Sequence, residues 1–237
     1  GPVNVATRFP SLWTGATARV GYAQLVVGGK KVGPAVVIQP MVTPAYRQKA
    51  QDKFPDEATR RRLHTGFRAY VDRHVVLETT EGEIELALRP DAAPNTAFNF
   101  RQLVDGGFYT DIAIHRVVAH HPSGKPFVIQ FGDPTGTGEG GPGYFIDLEP
   151  TMFPVEGAVV QPNTPVPMGM RLPHDFGVLS MARTPDPNTG SSQVFICLSR
   201  EATQGLDKDY TSFGQAVRGA EVIQKITGVQ TAPPNDR

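Results

Sequence analysis

The sequence predicts a mainly β protein built from short antiparallel strands, with two helices and a separate N-terminal extension. The 237 residues include 25 glycines and 22 prolines, which favours many turns and short strands over long helices. Apolar and polar residues alternate on both sides of Glu81-Gly82, which is typical of a strand, a tight turn and a second strand. Two short amphipathic patterns add helices. These features together favour an antiparallel sandwich or barrel.

The N-terminal extension is predicted to cover residues 1–74, ahead of a domain at residues 75–230 and a tail at residues 231–237. Gly1-Pro2 resembles the scar of a protease site, so we expect that a preceding segment has been removed. Apolar runs on either side of Gly28-Gly29 predict a β-hairpin, with Leu25–Val27 in one strand and Val32–Ile38 in the other.

A helix is predicted in the second half of the extension. Pro55 suits a first helical turn, and the following Asp56 and Glu57 suit its positive end. One helical face would carry an apolar stripe formed by Leu63, Phe67, Tyr70 and Val71. Because so short a helix is not stable alone, we expect it to pack on the outside of the following domain. Deleting residues 3–72 is then expected to lower stability more than activity.

The domain is predicted to begin with the strand pair at residues 75–80 and 83–88. Asn95-Thr96 can cap a helix that ends at Gly106-Gly107. Its apolar stripe consists of Ala97, Phe100, Leu103 and Val104. A second helix is predicted at about Ala220–Thr227, with Val222, Ile223 and Ile226 facing inward.

Composition excludes several classes of protein. The 23 basic and 23 acidic side chains balance, so no nucleic-acid partner is expected, and Arg60-Arg61-Arg62 is interpreted as a solvated face. The single cysteine, Cys197, excludes an internal disulfide and is expected to be a small buried residue. No apolar run is long enough for a transmembrane segment. The protein is expected to be periplasmic or otherwise exported if a signal was removed, and cytoplasmic if not.

A single cation stands inside an apolar, strand-like run. Arg116 follows Ile112 and Ile114 and precedes Val117-Val118, so it is desolvated on at least one side, and such a group is usually paired or functional. A second strand-like run, Phe127–Phe131, contains Gln130 and closes in Gly132-Asp133-Pro134. The Gly136–Gly141 run lacks the Lys-Ser/Thr of a phosphate-binding loop, so we interpret it as tight turns beside a groove.

These blocks resemble the signatures of the cyclophilins, the peptidyl-prolyl cis-trans isomerases. His-Arg-Val-Val, Phe-x-x-Gln-x-Gly-Asp and the glycine run form one block, and Gly177–Cys197, with Ser-Met-Ala and Ser-Gln-x-Phe, forms a second. Leu206-Asp207 and Phe213-Gly214 are similar to the third. The resemblance covers about residues 75–228 in the family's order. It implies an eight-stranded antiparallel β-barrel closed by two helices, acting on Xaa-Pro bonds in polypeptides without cofactor or metal.

The resemblance also implies roles for individual residues. Arg116 would be the catalytic donor, Gln130 would hold the arginine and the substrate carbonyl, and Phe127 would complete the catalytic set. The implied substrate-binding residues are Val128, Ala182, Arg183, Thr184, Gln193, Phe195, Leu206 and Tyr210. Met181 is expected to lie in the core.

The sequence departs from the family pattern in several places. Gly205 stands where many eukaryotic cyclophilins have a tryptophan, which predicts weak cyclosporin binding, and Tyr210 replaces a frequent histidine, as in bacterial-type members. Residues 119–126 lengthen the connection between the arginine and Phe127, so this loop is expected to overhang the site. His120-His121 within it lacks a full metal-ligand set, and a solvated loop is favoured. A proline-rich stretch, residues 147–172, is expected to be a surface loop.

Two function classes remain open at this point. The first is an active isomerase, because rotation about an Xaa-Pro bond needs no nucleophile, metal or proton transfer, and no Ser-His-Asp or thiol pair is evident that would indicate hydrolysis. The second is a cyclophilin-like binding module or chaperone that holds proline-containing segments with little turnover. In either case we expect a monomer.

Overall fold

The computed structural model describes residue 8 and residues 21–42, 64–71, 74–149, 152–154 and 168–231. The chain divides into two compact units, with the strands before residue 73 in the first and residues 74 onward in the second. The first unit contains a three-stranded antiparallel sheet made of β1 (Gly21–Val27), β2 (Lys30–Val42) and β3 (His64–Val71).

The hairpin predicted around Gly28-Gly29 is confirmed. These two residues join β1 to β2 with φ values of 56° and 76°. Two successive positive φ angles are what a tight two-residue hairpin turn requires, and glycine adopts them without steric cost.

The helix predicted in the extension is wrong for the residues that the structure describes. Phe67, Tyr70 and Val71 lie in β3, where they stand opposite Pro40, Val37 and Val36 of β2. Aromatic and β-branched side chains fit a strand well, and pairing with β2 supplies backbone hydrogen bonds along the segment. The predicted start of the helix and Leu63 lie outside the described residues.

The second unit is built on a curled, seven-stranded antiparallel sheet with the order β4-β5-β12-β10-β11-β7-β6. Its strands are β4 (His74–Thr79), β5 (Gly82–Leu88), β6 (Ile114–Val117), β7 (Val128–Phe131), β10 (Val178–Met181), β11 (Val194–Cys197) and β12 (Ser212–Arg218). β8 (Met152–Pro154) and β9 (Met168–Met170) form a separate pair. The mainly β prediction is confirmed, and seven strands form the described continuous sheet where the resemblance implied eight.

Among the described residues of this unit, three α-helices accompany the sheet: α1 (Pro94–Asp105), the one-turn α2 (Arg200–Thr203) and α3 (Ala220–Thr227). The prediction for α3 is confirmed, since Val222, Ile223 and Ile226 are buried. Gly219 precedes α3 with a φ of 87°, and a Cβ there would lie 2.4 Å from the Glu83 carbonyl oxygen, so only glycine fits. None of the described helices is long and apolar enough to cross a membrane.

The start of α1 differs from the prediction. Asn95 and Thr96 lie inside the helix, and the residue before Pro94 contributes no side-chain cap. Instead, the buried Glu149 carboxylate accepts hydrogen bonds from the Asn95 N–H at 3.0 Å, the Thr96 N–H at 2.6 Å and the Thr96 hydroxyl at 2.6 Å. A carboxylate at this helix end also meets the positive pole of the helix dipole. Part of the proline-rich stretch therefore anchors α1.

The sheet buries apolar side chains on both faces. The main core includes Leu86, Phe100, Ile129, Met181 and Phe213, so the placement of Met181 in the core is confirmed. A second cluster lies on the opposite side and includes Val128, Phe195 and Cys197, with Phe127, Leu206 and Tyr210 packed against it. Burial raises the pKa of the Cys197 thiol well above its usual range, which suits the small apolar role predicted for it. The second cluster forms the floor of the site described next.

Candidate active site

Three neighbouring strands place the central side chains of the site in one row. Arg116 of β6 stands opposite Gln130 of β7, and Gln130 stands opposite Phe195 of β11. Residues directly opposite one another in an antiparallel sheet point to the same face. The sheet register alone therefore brings the cation, the amide and the phenylalanine together.

A chain of hydrogen bonds fixes the polar half of the site. Arg116 Nη1 donates to Gln130 Oε1 at 3.2 Å, and Gln130 Nε2 donates to Gln193 Oε1 at 2.9 Å. Gln193 Nε2 then donates to the carbonyl oxygens of Gly138 and Gly140, both at 2.9 Å. Among the described residues, the Arg116 guanidinium donates to Gln130 alone, so most of its five N–H donors remain available to a substrate.

The glycine-rich segment that accepts the last of these hydrogen bonds is held in place by one carboxylate. Asp133 Oδ1 accepts hydrogen bonds from the Thr135 N–H and hydroxyl, both at 2.7 Å, and its other oxygen accepts from the Gly138 N–H. Burial tends to raise the pKa of Asp133, but these hydrogen bonds outweigh it and hold the pKa well below its usual range. The ionised Asp133 therefore fixes the two glycine carbonyls that orient Gln193.

The apolar half of the site gathers side chains from three separate segments. Phe195 packs edge-on against Tyr210, with ring centroids 5.7 Å apart. Leu206 reaches the same cluster from a 3₁₀ turn at Gln204–Leu206, and Phe127 from the residue before β7. Val128 is buried beneath them. These side chains form an apolar cluster on the same face of the sheet as Gln130 and Arg116.

A groove with a volume of about 520 Å³ continues the site on the side of Gln130 and Gln193. Five predicted site residues line it: Gln130, Ala182, Arg183, Thr184 and Gln193. The sequence analysis placed the glycine run beside a groove, and Gly138, Gly140 and Gly141 do line it. Tyr144, Thr189 and Ser191 also line it and were missed, because no local pattern distinguishes them from ordinary loop residues.

The Arg183 side chain is held by contacts within the protein. Its guanidinium lies 4.4 Å from the centre of the Tyr210 ring, and its Nε donates to the Asp209 carbonyl oxygen at 2.8 Å. Thr184 is tied to Thr189 by a hydroxyl contact of 2.9 Å. These contacts make both side chains fixed parts of the wall.

A buried polar group that the sequence analysis missed supports the apolar half. His174 Nδ1 lies 3.0 Å from Asp207 Oδ1, and His174 Nε2 lies 2.9 Å from Ser180 Oγ. This is the order of a Ser-His-Asp triad, which no sequence motif had indicated. Because both His174 and Ser180 are fully buried, no substrate reaches the hydroxyl, and hydrolysis is not supported. The His174 ring instead stacks on Phe195, with centroids 6.2 Å apart.

Asp207 links this buried group to the surface. Arg200 binds its two carboxylate oxygens at 2.9 and 2.6 Å. Burial tends to raise the pKa of Asp207, but the Arg200 and His174 hydrogen bonds dominate and lower it from 3.8 to about 2. Asp207 directly follows Leu206, so the ion pair also holds the segment that brings Leu206 to the apolar cluster.

The lengthened loop at residues 119–126 meets the site through one contact. The His121 ring stacks on Phe127, with centroids 4.8 Å apart and planes at 22°. Ser123 N–H donates to His121 Nδ1 at 3.2 Å, and Ser199 Oγ donates to the Pro126 carbonyl oxygen at 2.8 Å, so both the ring and the loop are held. Within the described ranges, no three His, Cys, Asp or Glu side chains lie close enough to hold a metal ion.

Gly205 leaves a gap beside Leu206. A Cβ placed on this residue would meet no heavy atom within 4 Å. The space immediately around a side chain at this position is therefore open.

The fold and the site define a class of protein in which a curled antiparallel sheet carries an arginine, a glutamine and an apolar cluster on one face. Solved structures share this architecture. The cyclophilin-type peptidyl-prolyl cis-trans isomerase of Cryptosporidium parvum, crystallised in the presence of the dipeptide Ala-Pro, is similar with a TM-score of 0.54 and 28% identity, covering 69% of this chain and 90% of that one.

Sequence comparisons agree with the structural one. The family model for cyclophilin-type peptidyl-prolyl cis-trans isomerases matches residues 74–237. The peptidyl-prolyl cis-trans isomerase CYP18-2 of Arabidopsis thaliana is 35% identical over 66% of this chain and 82% of its own length. The peptidyl-prolyl cis-trans isomerase-like 1 protein of Rhizopus delemar is 37% identical over 69% and 84%. The chain belongs to the cyclophilin-type peptidyl-prolyl cis-trans isomerase family.

Proposed function

We propose that this chain accelerates rotation about Xaa-Pro bonds in polypeptides, with Arg116 stabilising the twisted transition state. The observation that carries the proposal is the Arg116 guanidinium, which Gln130 holds on the same face of the sheet as an apolar cluster. The family membership supports the activity itself.

The chemistry suits this arrangement. The uncatalysed rotation crosses a barrier of about 18–20 kcal/mol, because amide resonance is lost as the bond twists. In the twisted state the proline nitrogen regains a lone pair, which accepts a hydrogen bond that neither planar form accepts as well. A guanidinium aimed at this nitrogen therefore stabilises the transition state selectively. Arginine stays charged at all relevant pH values, so no proton needs to move.

The remaining side chains orient the substrate. The proline ring would lie against Phe127, Phe195 and Leu206, with Val128 below and Tyr210 alongside. The residues before the proline would lie along Ala182, Arg183 and Thr184, where the Ala182 N–H is already bonded to the Gln193 carbonyl oxygen at 2.9 Å. Gln130 would hold both the arginine and the substrate carbonyl.

An isomerisation assay separates catalysis from simple binding. A short Xaa-Pro peptide, started from a cis-enriched solution, should reach equilibrium faster in proportion to the protein concentration. We propose that the physiological substrates are unfolded or flexible chains. The refolding of a protein whose rate is limited by an Xaa-Pro bond should therefore accelerate as well. We further propose that a monomer is sufficient for this activity. Binding of the peptide without acceleration would favour the alternative, a binding module or chaperone with little turnover.

Weak cyclosporin binding is a finer part of the proposal. Gly205 offers neither the apolar wall nor the indole donor of a tryptophan, and these are worth about 1.5–3 and 0.5–1.5 kcal/mol. Cyclosporin affinity should therefore be roughly 30- to 2,000-fold weaker than with a tryptophan at this position. Gly205→Trp should recover affinity, because it restores both groups and no heavy atom lies within 4 Å of a Cβ at this position. Sub-micromolar affinity in the unchanged protein, or no gain in the variant, would contradict this part.

A further inference from the structure

The balanced total charge conceals a strong separation between the two parts of the chain. Residues 1–73 contain 12 Lys and Arg but 4 Asp and Glu, a formal charge of +8, whereas residues 74–237 contain 11 and 19, a formal charge of −8. The first 51 residues contain six Lys and Arg and no acidic side chain. A charge asymmetry of this kind indicates an anionic partner for the basic part.

The β1–β2 hairpin ends in an apolar tip, defined here as residues Leu25–Lys31. Leu25, Val26 and Val27 are 62%, 54% and 59% exposed. Successive residues of a strand point to opposite faces, so Val26 points away from the side of Leu25 and Val27. Both faces at the end of β1 are therefore apolar and exposed, which is unusual for a short segment with no packing role.

Two cations stand on the partner strand at the same level. Lys30 is opposite Val27, and Lys31 is opposite Val26, across the turn at Gly28-Gly29. No acidic residue occurs within residues 21–42 to compensate them. The tip thus combines an aliphatic end with two lysines that are consecutive in β2.

We propose that this hairpin tip binds the surface of an anionic lipid bilayer, with Leu25, Val26 and Val27 entering the interface and Lys30 and Lys31 contacting the headgroups. A convex tip that is apolar on both faces suits a bilayer, which surrounds an inserted segment, better than a protein groove. Aliphatic side chains contribute little to nucleic-acid binding, where stacking and phosphate contacts dominate. The combination of apolar insertion and lysine attraction is how peripheral proteins bind anionic membranes.

Vesicle sedimentation of the full chain tests the proposal. The protein should bind vesicles of phosphatidylcholine mixed with phosphatidylglycerol, bind much less to phosphatidylcholine alone, and dissociate as salt is raised. The double variant Lys30→Gln/Lys31→Gln should lower partitioning onto the anionic vesicles by roughly 30-fold, equivalent to about 1 kcal/mol for each lysine. Val26→Ser/Val27→Ser should lower it by at least about tenfold.

Matched variants in the second unit serve as controls. Val76 and Val217 are each 50% exposed, and Lys208 and Lys225 are exposed, so Val76→Ser/Val217→Ser and Lys208→Gln/Lys225→Gln change the same chemistry elsewhere. These controls should bind vesicles as the unchanged protein does. Isomerase activity on a short peptide should be the same in the hairpin variants, which shows that the second unit still folds and keeps this proposal separate from the proposed function. Unchanged far-UV circular dichroism should show that the strands of the first unit are retained.

Three results would overturn the proposal. The first is no binding of the full chain to anionic vesicles at low salt. The second is binding that the hairpin variants leave unchanged. The third is binding of a DNA or RNA oligonucleotide that depends on the lysines but not on the valines, together with no preference for vesicles, which would indicate a nucleic-acid partner instead.

Discussion

The polar and apolar halves of the candidate site are stabilised in different ways. The polar half is a single line of hydrogen bonds from Arg116 through Gln130 and Gln193 to the glycine carbonyls. The apolar half is a cluster in which each ring has several neighbours, so that Phe195 contacts Tyr210 on one side and His174 on another. In the polar half, the position of each side chain depends on its hydrogen bond to the next one. In the cluster, each contact is supported by others.

This difference predicts a graded series of effects. Removing a donor from the polar half takes away an interaction that forms in the transition state, and no neighbour replaces it. Removing one contact from the apolar half leaves the rest of the cluster in place, so the loss is expected mainly in substrate binding. Substitutions in the two halves should therefore separate kcat effects from KM effects.

The largest effect is expected from Arg116→Ala. Losing one preorganised transition-state donor costs about 2.7–4 kcal/mol, so kcat/KM should fall by at least about 100-fold while the fold stays intact. The control is Arg218→Ala, which removes an arginine whose side chain is 82% exposed. Unchanged turnover in a folded Arg116→Ala protein would remove the catalytic role of this residue and the mechanism with it.

Gln193→Ala should come next, with a loss of about tenfold in kcat/KM. It removes the acceptor for Gln130 and the anchor to Gly138 and Gly140, and each hydrogen bond is worth about 0.5–1.5 kcal/mol net. Gln193→Glu keeps the acceptor and loses the donors, so its kcat/KM should lie between those of Gln193→Ala and the unchanged protein. Gln215→Ala, an exposed glutamine of β12, is the control. Equal activities in Gln193→Ala and Gln215→Ala would show that the hydrogen-bond line does not position Arg116.

The sequence predicted the parts of the site that local motifs and strand register determine. Arg116 and Gln130 lie in adjacent strands of the same sheet, and α3 follows from three apolar residues at helical spacing. Parts that depend on distant pairs were not predicted. Glu149 caps a helix more than 50 residues earlier in the chain, and His174, Ser180 and Asp207 meet only after folding.

In the N-terminal extension, too, contacts between distant residues determined a structure that the local sequence did not predict. The spacing of Phe67, Tyr70 and Val71 fits a helical face, so local periodicity favoured a helix. Their pairing with β2, about 30 residues earlier, decides the outcome, because a strand edge offers hydrogen bonds to the whole segment. The periodicity of so short a segment does not indicate whether a strand edge is available for pairing.

Acid should weaken the apolar half through Asp207. This carboxyl is more acidic in the folded protein than its usual value of 3.8, so its ionised form stabilises the fold. The stabilisation is complete above about pH 4 and is lost as the pH falls toward about 2. The gap in unfolding free energy between the unchanged protein and Asp207→Asn should therefore narrow across this window, as measured by urea titration at each pH. A gap that stays constant would mean that the Arg200–Asp207 pair contributes nothing to stability.

The smallest effect is expected from the loop contact at His121, and it tests whether the apolar half extends beyond the family's usual pocket. An aromatic pair is worth about 0.5–1.5 kcal/mol, so His121→Ala should raise KM by about 2- to 10-fold with little change in kcat. His121→Phe keeps a stacked ring and should restore KM, whereas His120→Ala, which changes the exposed neighbour, should leave it unchanged. If His121→Ala and His120→Ala have the same KM, the loop does not contribute to substrate binding, and Phe127 is held by β7 and its cluster alone.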